Sequence, residues 1–376
     1  MGKRVVLLGA GHAHLHVARH AATFTERGHE LLVVAPGPFW YSGLATGMLG
    51  GDYPPELDQV DVASLVTSTG GRFIQGSAVR VDPASRLVHL EAGEPVSYDV
   101  LSVNLGSEPP DIPGDDGERV YRVKPIRRLA ALRADLEAAV ATNPGEPLRV
   151  VVAGAGVTGC ELAGNILGLA AARGGIIDLT VLASSGSVLN RLPDRAARMV
   201  EDNLTRRGAT VRRHARVARI DPDCAVLESG DCVAFDFFVN AAGLRPNHRI
   251  REVGVPVDEQ GAMIVDANLR SVGDPAIHGG GDCVAFLNRH LPRIGVYAIR
   301  QAPILCHNLL AGAEDRQPRE FSPQSKYLWI MNLGDGTGLV TRGSLWWHGR
   351  SAYRLKDWID RRFLRGYQRR AIRVRS

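Results

Sequence analysis

"LRVVVAGAGVTGCELAGNILGLAAA", residues 148–172, is the stretch that decides the fold. An apolar strand at 150–153 runs into Gly154, Gly156 and Gly159 in the spacing G-x-G-x-x-G, and an Ala- and Leu-rich helix follows to about Ala172. Glycine permits the tight turn and lets backbone N–H groups approach a pyrophosphate at the positive end of the helix. One such loop is a weak signal, because glycine-rich turns are common. This chain contains two. "VVLLGAGHAHLHVARH" (5–20) repeats the design, with a strand at 5–8, the turn Gly9-Ala10-Gly11 and a helix from His12.

The repeat extends beyond the loops. "YDVLSVNLGSEPP" (98–110) and "FDFFVNAAGLRPN" (235–247) align without gaps, pairing Asp99 with Asp236, Gly106 with Gly243 and Pro109 with Pro246. These segments follow their loops at similar distances, 90 residues from Gly9 to Asp99 and 82 from Gly154 to Asp236. A duplicated nucleotide-binding unit follows, and with it an α/β fold of two Rossmann-like, three-layer dinucleotide-binding domains.

The first loop carries histidines at positions 12, 14, 16 and 20. His12 and His16 share a helix face, as do His16 and His20, but no Asp, Glu or Cys lies between Gly9 and Phe24 to complete a ligand set. No metal site is expected. His12 and His14 fall in the loop and first helical turn, where an imidazole N–H reaches a phosphate oxygen, so both read as cofactor-side residues.

With 376 residues, 45% hydrophobic and 23% charged, the chain has the composition of a globular protein of two or three domains. No apolar run is long enough to span a membrane, and the first strand begins too close to Met1 to leave room for a signal peptide, so a cytoplasmic location is expected. The five cysteines are an odd number with no C-x-x-C pair. Reduced thiols are expected, with no dithiol redox centre.

A third signature, "PAIHGGGDCVAF" (275–286), is a short strand ending in Gly-Gly-Gly-Asp. Together with Gly9, Gly11 and the second loop, it makes nearly the whole chain resemble the two-dinucleotide-binding-domain flavoproteins, the pyridine nucleotide-disulfide oxidoreductase superfamily. The resemblance implies a glutathione-reductase-like fold. It implies non-covalent FAD on the first loop, with Gly281 and Asp282 at the flavin ribityl chain, and NAD(P)H on the second. "RIGVYAIRQAPILCHNLL" (293–310) and "GAGVTGCELAG" (154–164) are similar to type II NADH:quinone oxidoreductases. "PFWYSGLATGMLGGDY" (38–53) and "VKPIRRL" (123–129) resemble the quinone-oxidoreductase-like branch associated with selenophosphate synthesis.

By that resemblance Glu161 lies close to the isoalloxazine and passes protons, Gln301 and Ala298 belong to the flavin-side quinone pocket, and Gly106 and Gly243 line the cofactor sites. Lys124 either supplies positive charge near the pyrimidine end of the flavin or forms a surface salt bridge. Several positions depart from the pattern. His14 replaces a small residue, and the strands at 30–35 and 178–183 end without the usual ribose-binding acid, at Ala35 and at Ala183-Ser184. The pocket glutamines of the resembled group match Val296 and Arg300, leaving Gln301 as the neighbouring glutamine. Without a carboxylate to repel a 2′-phosphate, and with Arg191 or Arg195 nearby, NADPH is expected to serve at least as well as NADH. Cys160 and Cys283 are read as structural.

The expected organisation is an FAD domain at 1–120 and 246–320, a nicotinamide domain at 121–245, and a C-terminal strand pair and basic amphipathic helix at 321–376. The expected reaction passes a hydride from NAD(P)H to flavin and two electrons to a quinone. Two alternatives stand beside it, a sulfide- or selenide-type chalcogen:quinone reductase without nicotinamide and a non-enzymatic flavoprotein.

The net charge of +5 is concentrated at the end of the chain, where residues 342–376 hold eleven Lys or Arg against two Asp. On a helical projection Ala352, Leu355, Trp358, Ile359, Phe363 and Tyr367 form one face, and Arg350, Arg354, Arg361 and Arg365 a stripe on the other. One reading lays residues 345–376 on an anionic lipid surface at the inner face of the cell membrane. The other makes the helix a cover on the catalytic domains or a homodimer contact. Nucleic acid is not an expected partner, because no recognised module accompanies the charge.

Overall fold

The computed structural model describes residues 2–373 apart from 116, 118 and 143, with side chains through Gln368. Two five-stranded parallel sheets form its centre. The first runs in the order Ile277–Gly279, Val100–Val103, Arg4–Leu8, Glu30–Ala35, Arg72–Gln75. The second runs Val120–Arg122, Phe237–Asn240, Pro147–Ala153, Ile176–Leu182, Thr210–Arg212. Each places the strand before a glycine loop at its centre. These central strands are covered on both faces, which is why they read as continuous apolar runs rather than alternating ones. The chain returns to the first sheet through Ile277–Gly279 after the second sheet is complete.

The sequence repeat is a structural repeat down to single hydrogen bonds. Asp99 Oδ2 accepts from the backbone N–H of Arg4 at 2.7 Å, and Asp236 Oδ2 accepts from that of Arg149 at 2.8 Å, so equivalent carboxylates tie equivalent strands. The equivalent turns then pair with each other, Ser107 opposite Pro246 and Glu108 opposite Arg245.

At the C-terminal end three antiparallel strands, Trp329–Asn332, Gly338–Arg342 and Leu345–Gly349, precede a helix over Arg350–Arg373. The expected strand pair is therefore a three-stranded sheet, its last strand taken from the segment read as helical. The turn after Asn332 lies directly on the helix Val157–Arg173. A Cβ on Gly164 would stand 2.4 Å from the Leu333 carbonyl oxygen, and one on Gly168 2.2 Å from that of Gly334. Two glycines one helical turn apart thus admit a backbone-to-backbone approach.

The C-terminal helix does not present its aromatic face freely. Ala352, Asp360, Leu364 and Tyr367 are buried, Tyr41 and Phe363 stack at 4.6 Å, and Tyr53 donates to Asp357 at 2.9 Å. The face read as one apolar stripe is split: Phe363 and Tyr367 turn to the body, and Trp358 stays outside at 53% exposure. Of the basic residues in this tail, Arg369, Arg370, Arg373 and Arg375 have side chains outside the described residues. Among the described residues no helix is long and apolar enough to cross a membrane.

The expectation of free thiols is corrected at one pair. Cys224 and Cys232 form a disulfide with their Cα atoms 5.7 Å apart. They lie on paired strands of the hairpin Cys224–Leu227 and Cys232–Ala234, a proximity that antiparallel register creates and spacing alone does not announce. Cys160, Cys283 and Cys306 are free.

Candidate active site

Both glycine loops open on one cleft of about 1380 Å³. Helices start from it at Gly11, Gly156 and Ile294, and none of the three has a side-chain cap or an acid in its first turn. Their first N–H groups are left for a ligand, and three helix dipoles bring positive potential to one space. The cleft is built for anions.

The glycines fall into two kinds. Gly9 and Gly154 have positive φ, and a Cβ on either would strike backbone, the Asn104 oxygen at 2.4 Å and the Ala241 oxygen at 2.2 Å. At Gly11 the obstacle is the Asn104 side chain, at Gly159 the Gly154 carbonyl. Gly106, Gly156 and Gly243 face open space within the cleft lining, as close approach of a phosphate group requires. Asn104 is a residue the sequence reading passed over. It sits in the repeated segment, and its Nδ2 donates to the Gly280 carbonyl at 2.7 Å, linking the first loop to the Gly281-Asp282 turn.

Asp282 lines the cleft and accepts from Lys124 Nζ at 2.8 Å and from Ser107 Oγ at 2.6 Å. Burial works against its charge, but the Lys124 ammonium and these hydrogen bonds outweigh burial and hold the carboxyl below its usual range. Lys124 lines the cleft, and its salt bridge is to the buried Asp282, not on the surface. Glu161 and Ala298 line the cleft as well. Glu161 Oε1 accepts from the Asn332 N–H at 2.8 Å and is 3.5 Å from Thr46 Oγ1. Burial raises its carboxyl above the usual range, against the pull of the Lys356 charge.

Two expected residues lie elsewhere. His14 is turned into the sheet, with Nδ1 2.6 Å from the Gly9 carbonyl oxygen and Nε2 2.8 Å from Ser102 Oγ, so it braces the loop from behind and is not part of the cleft lining. Gln301 is 2% exposed, and its Oε1 accepts from the Gly281 N–H at 2.6 Å. It points to the inner side of the helix Gly295–Ala313 and orders the Asp282 turn, where the sequence had placed it in an acceptor pocket. His12 does line the cleft, edge-on to Phe39 at 4.9 Å. Around the second glycine loop Ser184, Ser185, Arg191 and Arg216 line the cleft, while Arg195 does not. No cysteine is among the described lining residues, and burial pushes the Cys160 thiol up to about 12 and the Cys283 thiol to about 11.

The pattern of the pyridine nucleotide-disulphide oxidoreductases matches residues 3–302. The chain belongs to that family. It is an oxidoreductase, and the family's cofactors are FAD and NAD(P)H. An NADH dehydrogenase-like protein of Mycobacterium tuberculosis is 28% identical over 302 residues, covering 75% of this chain and 73% of its own. A probable ferredoxin reductase of Castellaniella defragrans is 28% identical across 94% of this chain and 88% of its own. The fold is that of NDH2 from Plasmodium falciparum, solved in complex with NADH, with a TM-score of 0.81 at 14% identity over 100% of this chain and 98% of the other. It is equally that of the sulfide:quinone oxidoreductase of Aquifex aeolicus, with a TM-score of 0.80 at 18% identity over 98% and 92%. The open glycines, the uncapped helix starts and the size of the cleft fit two dinucleotides.

Proposed function

We propose that the chain is an FAD-dependent NAD(P)H:quinone oxidoreductase, with residues 1–120 and 246–320 holding FAD and 121–245 holding the nicotinamide. The observation that carries this is the single cleft with both glycine loops and Glu161 in its lining. FAD, when bound, supplies the hydride and two-electron chemistry. The protein's part is placement and charge. The uncapped starts at Gly11 and Gly156 take the two pyrophosphates, and Asp282, fixed by Lys124 and Ser107, orients the ribityl chain. Glu161, raised by burial, holds the proton that the acceptor needs. The Cys160 and Cys283 thiols stand outside the cleft lining and give no support to a chalcogen donor.

At Ala183-Ser184, where an acid would select NADH, there is no carboxylate, and Arg191 and Arg216 belong to the same cleft lining, so NADPH serves at least as well as NADH. A steady-state assay with NADH, NADPH or sulfide against a short-chain quinone tests the reading. Sulfide-only activity, or a strong preference for NADH, contradicts it.

We also propose that the protein docks on the anionic inner face of the cell membrane through Leu345, Trp347 and Trp358, which are 73%, 44% and 53% exposed, with the Arg362 guanidinium over the Trp358 ring and Arg350, Arg354 and Arg365 exposed on the same helix. Exposed aromatics among arginines match a headgroup layer in chemistry.

A further inference from the structure

Glu161 takes its shortest hydrogen bond from the far end of the chain. Its Oε1 accepts from the backbone N–H of Asn332 at 2.8 Å, and the next donor, Thr46 Oγ1, is 3.5 Å away. Both engage Oε1 and leave Oε2 open. Asn332 ends the strand Trp329–Asn332, which lies at the edge of the C-terminal sheet. The next residue, Leu333, closes the turn by donating to the Thr337 carbonyl at 3.1 Å, so in the alternating antiparallel ladder the pair Asn332 and Gly338 exchanges no hydrogen bonds. At such a position on an edge strand the N–H points out of the sheet, and here it points at Glu161.

The other polar groups of Asn332 are occupied as well. Its carbonyl accepts from Asn165 Nδ2 at 3.2 Å and its Oδ1 from the Gly334 N–H at 2.9 Å, while its Nδ2 donates to Asp52 Oδ2 at 3.0 Å and to Asn165 Oδ1 at 3.1 Å. Asn165 lies one helical turn beyond Glu161, and its Nδ2 also donates to the Glu161 backbone carbonyl at 2.8 Å. Arg207 fastens the turn to the same helix, donating to the carbonyls of Leu333, Gly334 and Gly164 at 2.6, 3.1 and 2.6 Å. Asn165 and Asn332 are 0% and 2% exposed. A buried network satisfied at this many points holds one geometry, and that geometry sets one N–H against one carboxyl oxygen.

We propose that Asn332 is a positioning residue for Glu161: its N–H holds Oε1 as the acceptor and leaves Oε2 to carry the proton into the cleft. This rests on the reading of Glu161 as the proton-holding group. A carboxyl oxygen that bears a proton is a donor, so the oxygen that already faces an N–H is the one that stays bare. The C-terminal sheet is then part of the active site, apart from any contact with a membrane. The other charges that bear on Glu161 come from the C-terminal helix, Lys356 favouring its ionisation and Asp360 opposing it. The Cys160 thiol stands beside it on its own helix, and Asp52 lies one hydrogen bond further out, on Asn332.

The test compares the wild-type holoenzyme with Glu161→Gln, Asn332→Pro and Asn332→Ala. Proline removes the N–H at a place where an edge strand tolerates it, because no ladder bond is lost, whereas alanine keeps the N–H and removes its side-chain anchors. Two quantities are read: the infrared carbonyl stretch of the protonated carboxyl, assigned by its loss in Glu161→Gln, and the alkaline limb of the pH profile for reoxidation of the reduced holoenzyme by a short-chain quinone. In Asn332→Pro the stretch is expected at higher frequency, because its oxygen has lost a donor. The limb is expected to move to higher pH by about one unit, because that donor favours the ionised carboxylate. The rate below the limb is expected to fall about tenfold with KM for the quinone unchanged, as loss of orientation alone predicts. Asn332→Ala is expected to move both readings in the same directions by less. A stretch and limb lost in Glu161→Gln, with either one unmoved in Asn332→Pro, overturn the role of Asn332 and leave the reading of Glu161 standing. A limb that survives in Glu161→Gln, or no carbonyl stretch lost in it, overturns both. If Asn332→Pro does not fold, Asn332→Ala decides, and either reading unmoved there overturns the proposal.

Discussion

At the scale of single residues, the cleft separates glycines that shape the protein from glycines that leave room for a ligand. A Cβ on Gly11 would lie 1.6 Å from Asn104 Oδ1, so Gly11→Val pushes Asn104 off the Gly280 carbonyl and disturbs the Asp282 turn. The variant is expected to purify with most of its FAD missing, measured by visible absorbance against protein content, and full occupancy contradicts the assignment of the first loop. Gly156 has an ordinary φ of −78° and open space around its missing Cβ. Gly156→Ala should therefore leave FAD content unchanged and raise KM for NADPH by about tenfold, because the methyl group takes room reserved for phosphate. An unchanged KM would place the nicotinamide elsewhere.

At the scale of elements, the C-terminal helix has two faces with separate consequences. Leu364 is 1% exposed on the inner face, and Leu364→Ala should lower stability by about 2–4 kcal/mol in urea unfolding of the holoenzyme. Trp358 lies on the outer face, so Trp358→Ala should change stability by less than about 0.5 kcal/mol. Trp358→Ala should nevertheless weaken co-sedimentation with vesicles containing anionic lipid, and the wild-type binding should fall as salt rises. Equal failure of the wild type to bind anionic and neutral vesicles removes the membrane docking.

At the scale of the whole molecule, buried imidazoles set the acid limit. Burial lowers His12, His14 and His278 from 6.5 to about 4, the Lys124 charge adding to the effect at His12 and Arg270 at His278. The folded protein holds them neutral while the unfolded chain protonates them near 6.5, so their contribution is complete above about pH 6.5 and is lost as pH falls towards 4. The urea midpoint of the holoenzyme should fall steadily across that window. Replacing His14 with Gln should make the fall shallower, and an equal slope in the two proteins contradicts a neutral, buried His14.

Much of the fold is legible in the sequence because it depends on local chemistry repeated twice. An apolar strand, a G-x-G turn and a helix specify a parallel αβ unit, and the matched Asp99 and Asp236 segments give away the duplication. The same local chemistry locates Gly9, Gly11, Gly154, Gly156, Gly281 and Asp282 at one cleft, since each is tied to a strand end. Direction is another matter. His14 and Gln301 sit in cofactor motifs, yet a helix turns one face to its sheet, and only packing decides that these two face inward. The disulfide Cys224–Cys232 and the seat of the turn after Asn332 on Gly164 and Gly168 depend on register and backbone approach. So does the pairing of Lys356 with Asp360, which also accepts from the hydroxyl of Tyr41, 319 residues earlier in the chain. These groups meet only because the C-terminal helix packs on the body of the molecule and excludes the water that would otherwise screen them.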